Sequence, residues 1–194
     1  MNTEYEATFW PVVKEEVRQL LERAGAVMKY PERQMRRVVF YLPPSSPLTG
    51  MTAWARVRDE GDKVTMSIKQ LTKHDEISDQ KEVELIVSDF NTGVEMLRLM
   101  GCEEKAYQET RRELWELDDV QITIDEWPFL KPFIEVEGQS EEAVRVVSEK
   151  LGYVWNDALF CSADLIYMKQ YGITHARIND ETPRLSFDDP NPFV

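Results

Sequence analysis

The chain reads TEYEATF over residues 3–9, where Glu4 and Glu6 stand two positions apart. The same spacing recurs in KEVELIV (81–87) and FIEVEG (133–138), with the pairs Glu82/Glu84 and Glu135/Glu137. Because side chains alternate sides of a strand, each pair lies on one strand face. The segment WARVR places a basic pair, Arg56 and Arg58, at the same spacing. Paired acids and paired bases on strand faces suggest a site that holds a polyanion together with a hard metal ion.

The composition indicates a single globular domain rather than a disordered chain. The chain has 194 residues, of which 42% are apolar, and its formal net charge is -13. This acidic balance argues against a nucleic-acid partner, although a local cluster of bases can still bind a small anion. The two cysteines, Cys102 and Cys161, define neither a disulfide framework nor a zinc site. Without a membrane-spanning apolar run or a signal peptide, we expect a cytoplasmic protein, either monomer or homodimer.

The alternating segments predict eight strands and three or four helices, mostly in hairpin order. Strands are expected at residues 3–9, 34–42, 52–59, 63–71, 81–88, 106–117, 119–125 and 133–137. Helices are expected from Pro11 to Gly25, over about 90–100, from Ser140 to Gly152, and over 162–171. Residues 1–178 form one domain in this interpretation, and residues 179–194 form an acidic, proline-containing tail in an extended conformation. The class is therefore α+β with an antiparallel sheet.

Each of the central strands has one apolar face and one polar or charged face. The apolar faces are expected to pack against the amphipathic helices, so the charged faces must point away from them. They would face either open water or the inside of a closed barrel. A single Glu-x-Glu pair is usually explained by a solvated sheet face. Three such pairs repel one another unless bases or a cation lie between them, so a functional polar interior and a solvated face are both open on this pattern.

The chemistry of these residues fits a phosphate ligand and a divalent cation. Mg²⁺ or Mn²⁺ prefers carboxylate oxygens and leaves positions free for phosphate oxygens. Arginine matches the geometry of phosphate, and phosphoryl transfer depends mainly on positioning and charge neutralisation. No glycine-rich phosphate loop offers another route. The two histidines, His74 and His175, stand in polar segments and are interpreted as surface residues.

The order of these segments resembles the CYTH superfamily, the triphosphate tunnel metalloenzymes. The matching pieces are EYEAT (4–8), ARVR (55–58), SIK (67–69), KEVEL (81–85), RRELW (111–115) and ITIDEWPFLKPFIEVEG (122–138). Together they run from residue 4 to about residue 151. The resemblance implies an eight-stranded antiparallel closed barrel, with helices outside and a tunnel that binds a triphosphate and a divalent metal ion.

The resemblance also implies a role for individual residues. Glu4, Glu6, Glu135 and Glu137 are similar to metal-binding carboxylates, and Asp125 and Lys69 to catalytic groups. The implied phosphate contacts are Arg56, Arg58, Lys69 and Arg112. Arg37 is a further candidate, but Arg36 points the opposite way on the same strand, and the sequence does not decide which of the two faces inward. Glu82 and Glu84 are implied to orient these bases.

Three positions depart from the family pattern. Thr8 stands where the E-x-E-x-K motif has lysine, and Thr110 and Gln121 stand where many members have a base. Threonine can donate a hydrogen bond to phosphate but cannot neutralise its charge. Three functions are therefore expected in this order: a metal-dependent triphosphatase, an adenylyl cyclase that forms cyclic AMP and pyrophosphate, and a binder of triphosphates without turnover.

Overall fold

The computed structural model describes residues 1–72 and 76–194, so the prediction for His74 lies outside the described residues. The long strands are β1 (Asn2–Phe9), β2 (Val27–Tyr41), β3 (Thr52–Asp59), β4 (Val64–Leu71), β5 (Gln80–Val87), β6 (Glu103–Leu117), β7 (Val120–Glu126) and β8 (Phe133–Gly138). They follow one another as β2-β3-β4-β5-β1-β8-β7-β6, and an additional pairing of β2 with β6 closes the sheet. The predicted eight-stranded antiparallel barrel is confirmed.

The two strands that close the barrel are longer than the sequence pattern predicted. Strand β2 begins at Val27 rather than near residue 34, because VMKYPER contains a proline and three charges that do not resemble a strand. The ladder between β2 and β6 is irregular here, with register shifts between Met28 and Tyr30 and between Tyr30 and Arg33. Such shifts allow Pro31 to lie in the strand without donating a ladder hydrogen bond.

The apolar strand faces lie outside the barrel, where helices cover part of them. Helix α1 (Lys14–Ala24) buries Val17 and Leu21, and helix α3 (Glu141–Lys150) buries Val144 and Val147. These side chains pack in one cluster with the outward residues of β7 and β8, such as Ile122 and Val136. A second cluster forms where helix α2 (Phe90–Leu99) packs on β3. Each large apolar side chain buried in this way contributes about 1.5–3 kcal/mol.

The charged strand faces therefore point into the barrel, which decides between the two alternatives left open by the sequence. Local signals agree with this arrangement. The β6–β7 turn has positive φ angles at Asp118 and Asp119, as the tightest hairpins require. Ser140 accepts a hydrogen bond from the Ala143 amide and so caps α3 as predicted.

The C-terminal segment is folded against the barrel instead of extending from it. It forms α4 (Ala163–Tyr171), α5 (His175–Asn179) and the short strand β9 (Arg184–Leu185), which pairs in parallel with β6. The carboxylate of Glu109, on the outer face of β6, accepts hydrogen bonds from the Ser186 hydroxyl and the Phe187 amide. Among the described residues, no helix has the length and apolar character needed to cross a membrane.

Candidate functional site

The interior of the barrel is a polar cavity of about 720 Å³. All eight barrel strands contribute side chains to its wall. The predicted site residues that line it are Glu4, Glu6, Arg37, Arg56, Arg58, Lys69, Glu82, Glu84, Arg112, Glu135 and Glu137. Arg36 instead lies outside, where it pairs with Asp59 and covers the ring of Phe90. Of the two neighbouring arginines, Arg37 therefore faces the interior of the barrel.

One side of the tunnel is acidic, since β1 and β8 place their glutamates against one another. Glu6 lies directly opposite Glu137 in the antiparallel ladder, and Thr8 lies opposite Glu135. Burial, and then the charges of Glu135, Glu137 and Glu4, hold the pKa of Glu6 well above its usual value. Burial also raises the pKa of Glu137. Carboxylates crowded in this way would be stabilised by a cation.

Lys69 joins this acidic side to the rest of the tunnel. Its ammonium group lies 2.8 Å from Glu4 and 3.2 Å from Glu82. Burial and Arg56 would lower the pKa of Lys69, but Glu6, Glu82 and Glu4 raise it, so the lysine stays protonated. Burial, and then a hydrogen bond shared with Glu82, raises the pKa of Glu4 to about 7.

The opposite side of the tunnel is basic, and its arginines are held by carboxylates. Arg56 lies 3.0 Å from Glu82 and 3.9 Å from Glu84. Arg58 lies 2.6 Å from Glu60 and 3.7 Å from Glu84. Burial, and then the charge of Arg58, lowers the pKa of Arg56 to about 10. Glu84 thus lies near both arginines, and Glu82 lies against Arg56 and Lys69.

Arg112 is held by two acids from neighbouring strands. Its guanidinium group lies 2.7 Å from Asp125 and 2.5 Å from Glu135. Asp125 is completely buried, and burial raises its pKa to about 6 despite the charge of Arg112. It lies behind Arg112 rather than on the tunnel surface, a position that suits a group that orients Arg112.

Arg37 differs from the other predicted phosphate contacts in having neutral neighbours. It donates a hydrogen bond to the side-chain oxygen of Gln108 at 2.8 Å, and its guanidinium carbon lies 4.2 Å from the ring centre of Trp127. Among the described residues, no carboxylate lies within ion-pair distance of it. Burial, and then the charges of Arg56, Arg58 and Arg112, hold its pKa well below the usual value, although the charge of Glu135 acts in the opposite direction.

The acidic donor set suits Mg²⁺ or Mn²⁺. Its candidate ligands, Glu4, Glu6, Glu135 and Glu137, all offer hard carboxylate oxygens. No ready-made group of three acidic, histidine or cysteine ligands is found in the described part of the chain. Mg²⁺ is commonly bound through one or two carboxylates and the phosphates of its substrate, so such a group is not required.

The three departures from the family pattern occupy different positions. Thr8 is 1% exposed, and its backbone forms two hydrogen bonds with Leu159. Thr110 is also buried, next to Met35 on β2. Gln121 lines the tunnel. None of these side chains supplies the positive charge that the family pattern would place there.

The structure adds site residues that the sequence reasoning missed. Glu60, which the hairpin pattern marked only as a turn residue, is buried beside Arg58. Gln108 and Trp127 hold Arg37, although neither belongs to a charged pair. The C-terminal segment also reaches one end of the tunnel, through Asp164, Asn179 and Asp180. His175 lines this end and is largely exposed, as predicted.

The fold is shared with several solved structures. The PH1012 protein of Pyrococcus horikoshii OT3 superposes with a TM-score of 0.68 at 21% identity, over 82% of this chain and 96% of that chain. A protein of Vibrio parahaemolyticus, provisionally named an adenylate cyclase, gives 0.70 at 15% identity, over 86% and 98%. HpAC1 of Hippeastrum, also provisionally named an adenylyl cyclase and described as having a dominant triphosphatase activity, gives 0.53 at 14% identity, over 90% and 97%.

A comparison with curated protein sequences finds no match. The sequence itself matches the CYTH domain model over residues 2–154, which spans every strand of the barrel and α3. This match covers most of the chain and includes every residue predicted for the tunnel. The chain therefore belongs to the CYTH domain family.

Proposed function

We propose that the protein binds a triphosphate together with Mg²⁺ or Mn²⁺ inside the barrel and hydrolyses it. The observation that carries this proposal is the position of Arg37. It is a cation with neutral direct partners, and the repulsion by three further arginines outweighs the more distant attraction of Glu135. Burying such a charge is unfavourable unless a counter-charge is supplied. A phosphate group in the tunnel would supply it.

The acidic side of the tunnel supports the metal part of the proposal. Glu135 and Glu137 lie close enough to Glu6 to raise its pKa. A divalent cation between the three carboxylates would relieve their repulsion. A bound Mg²⁺ or Mn²⁺ would supply charge neutralisation at the phosphate oxygens. Support also comes from the family, and from the triphosphatase activity described for HpAC1.

The basic side would orient the phosphates for reaction. Arg56, Arg58 and Arg112 are fixed by carboxylates, so their guanidinium groups lose little freedom when a phosphate binds. Lys69 stays protonated and would neutralise charge rather than accept a proton. In a tunnel with restricted solvent these contacts are stronger than at an open surface.

One observation favours an adenylyl cyclase as the second candidate. Trp54 on β3 and Tyr41 on β2 lie opposite each other and line the tunnel. They form the cross-strand pair next to Arg56 and Val39 on the same face of the sheet. An organic group attached to the phosphates could stack on these rings. Inorganic triphosphate has no group to place there.

The third candidate is a binder without turnover, and Thr8 motivates it. A lysine at this position would lie beside Glu6 and Glu135 and would add a positive charge to the acidic side. Without that charge, binding can persist while stabilisation of the transition state is reduced.

One assay separates the three candidates. Wild-type protein is incubated with tripolyphosphate or ATP, with Mg²⁺ or Mn²⁺, and phosphate, pyrophosphate and cyclic AMP are measured. Glu6→Gln serves as the matched control, because it removes a carboxylate that could bind the metal and keeps the shape of the side chain. We expect phosphate release from tripolyphosphate, at a rate at least about tenfold above the control.

The other outcomes assign the other functions. Cyclic AMP and pyrophosphate formed from ATP would identify a cyclase. A thermal shift with tripolyphosphate but no product above the Glu6→Gln level would identify a binder. Neither product nor thermal shift would refute the proposal that this tunnel binds a triphosphate.

A further inference from the structure

Arginines in the tunnel fall into two groups according to what compensates their charge. Arg56, Arg58 and Arg112 each lie within 4.0 Å of two carboxylates, which are already in place before any ligand arrives. Within the described part of the chain, the direct partners of Arg37 are an amide oxygen and an aromatic face. A ligand phosphate must therefore compete with these carboxylates for the three paired arginines. Arg37 can pair with a phosphate without such competition.

The two contacts of Arg37 fix both the position and the plane of its guanidinium group. Gln108 lies directly opposite Arg37 in the β2–β6 ladder and accepts a hydrogen bond from its Nε. Trp127 lies under the guanidinium group, with 4.2 Å between its ring centre and the guanidinium carbon. The indole is itself held in a buried cluster with Phe133 and Tyr167. Both contacts are neutral, so they orient the cation without neutralising it.

The identity of the residue at position 108 is decisive for this arrangement. Glutamate and glutamine have nearly the same shape, and a glutamate would place a carboxylate where the amide oxygen lies. Every other predicted phosphate contact has such a carboxylate within 4.0 Å. At Arg37 this contact is made instead by the neutral amide of Gln108.

We infer that Gln108 and Trp127 are positioning residues that keep Arg37 uncompensated, and that Arg37 is the anchor for the most highly charged phosphate of the ligand. This inference rests on the proposed binding of a triphosphate. A terminal phosphate carries more negative charge than an internal one, so it gains most from the cation that pairs directly with no carboxylate of the described residues. Arg37 is also surrounded by Arg56, Arg58 and Arg112, whose charges add to the attraction.

The central test is Gln108→Glu, with Gln70→Glu as the matched control. Gln70 points outward from β4, so its replacement adds the same charge on the other side of the barrel wall. Tripolyphosphate affinity is measured by calorimetric titration with and without Mn²⁺. We expect Gln108→Glu to weaken the affinity about tenfold or more, and Gln70→Glu to change it less than about threefold.

The role of the aromatic ring is tested with Trp127→Phe and Trp127→Leu. Phenylalanine keeps a ring face under Arg37, so we expect its affinity to stay within about threefold of wild type, while leucine loses more. Since Trp127 belongs to a buried cluster, the leucine variant must first be shown to fold by circular dichroism. Where it does not fold, Gln108→Glu, which changes no packing volume, decides the question.

The outcomes separate this inference from the proposed function. Wild-type binding of tripolyphosphate that survives unchanged in Gln108→Glu would overturn the role of Gln108, while the triphosphate tunnel would stand. Equal losses in Gln108→Glu and Gln70→Glu would also overturn it, because net charge alone would then explain the effect. Absence of wild-type binding would refute the proposed function, and this inference with it.

Discussion

Two arginine substitutions in the tunnel should change stability in opposite directions. Arg112 is paired with Asp125 and Glu135, whereas the direct partners of Arg37, among residues 1–72 and 76–194, are the neutral Gln108 and Trp127. Arg112→Met leaves two acids, one of them completely buried, without their cation. Arg37→Met removes a charge that three other arginines repel. We expect the first variant to be less stable than wild type and the second to be more stable, in the absence of ligand.

The expected sizes follow from these contacts. Removing one partner of a buried ion pair costs about 3–5 kcal/mol, so Arg112→Met should lower the melting temperature by roughly 6–20 °C. For Arg37→Met, the relief of charge burial is several kcal/mol, offset by about 1 kcal/mol of cation–π contact and about 2 kcal/mol of hydrogen bond. The net gain is about 1–2 kcal/mol, which raises the melting temperature by roughly 2–8 °C. Methionine preserves much of the contact with the indole ring.

Calorimetric unfolding near neutral pH, with EDTA and without phosphate, measures both changes. The same scans with tripolyphosphate and Mn²⁺ should show a smaller ligand-induced shift for both variants than for wild type. A stabilised Arg37→Met that no longer responds to tripolyphosphate would show that this arginine serves the ligand rather than the fold. Destabilisation of Arg37→Met comparable to that of Arg112→Met would refute the reasoning, because Arg37 would then be compensated within the protein.

Three further predictions concern the acidic side of the tunnel. Glu6→Gln should leave the melting temperature of the metal-free protein close to that of wild type, since the raised pKa of Glu6 already favours its neutral form, and should abolish the thermal shift caused by Mn²⁺. Because the pKa of Glu4 is raised to about 7, a proton competes with the metal below that pH. Calorimetric titration should therefore give tighter Mn²⁺ binding at pH 8 than at pH 6; equal affinities would contradict this. Thr8→Lys should increase phosphate release from tripolyphosphate, because it adds the missing cation; an unchanged rate in a folded variant would show that this loss does not limit activity.

The inward orientation of the charges could be predicted from the sequence because strand geometry leaves little freedom. The spacing of Glu4 and Glu6 places both on one face, and the apolar residues between and around them require helices on the other face. Once the amphipathic helices are placed outside, charges that recur on several strands can only surround a lumen or face water. The pattern of pairs left these two alternatives open, and the resemblance to the CYTH superfamily implied the lumen.

The details that sequence reasoning missed depend on which strands become neighbours. Arg36 and Arg37 are indistinguishable by pattern, and only the pairing of β2 with both β3 and β6 decides which one faces inward. The alternation along β7 predicts that Asp125 faces the tunnel, but the close approach of Arg112 covers its carboxylate. The tail from Asn179 looked extended because it is rich in acids and proline, while Glu109, far away in sequence, provides its anchor.

The charge balance in the tunnel predicts that a divalent metal ion and a triphosphate bind more tightly together than alone. The wall carries carboxylates in numbers that at least match its cations, so it is close to neutral before a ligand binds. A triphosphate brings several negative charges, and Thr8 adds no positive charge to offset them. Divalent cations would restore the balance and would displace the protons that burial holds on Glu4 and Glu6. Because each ligand lowers the electrostatic cost of binding the other, their affinities should be coupled in both directions.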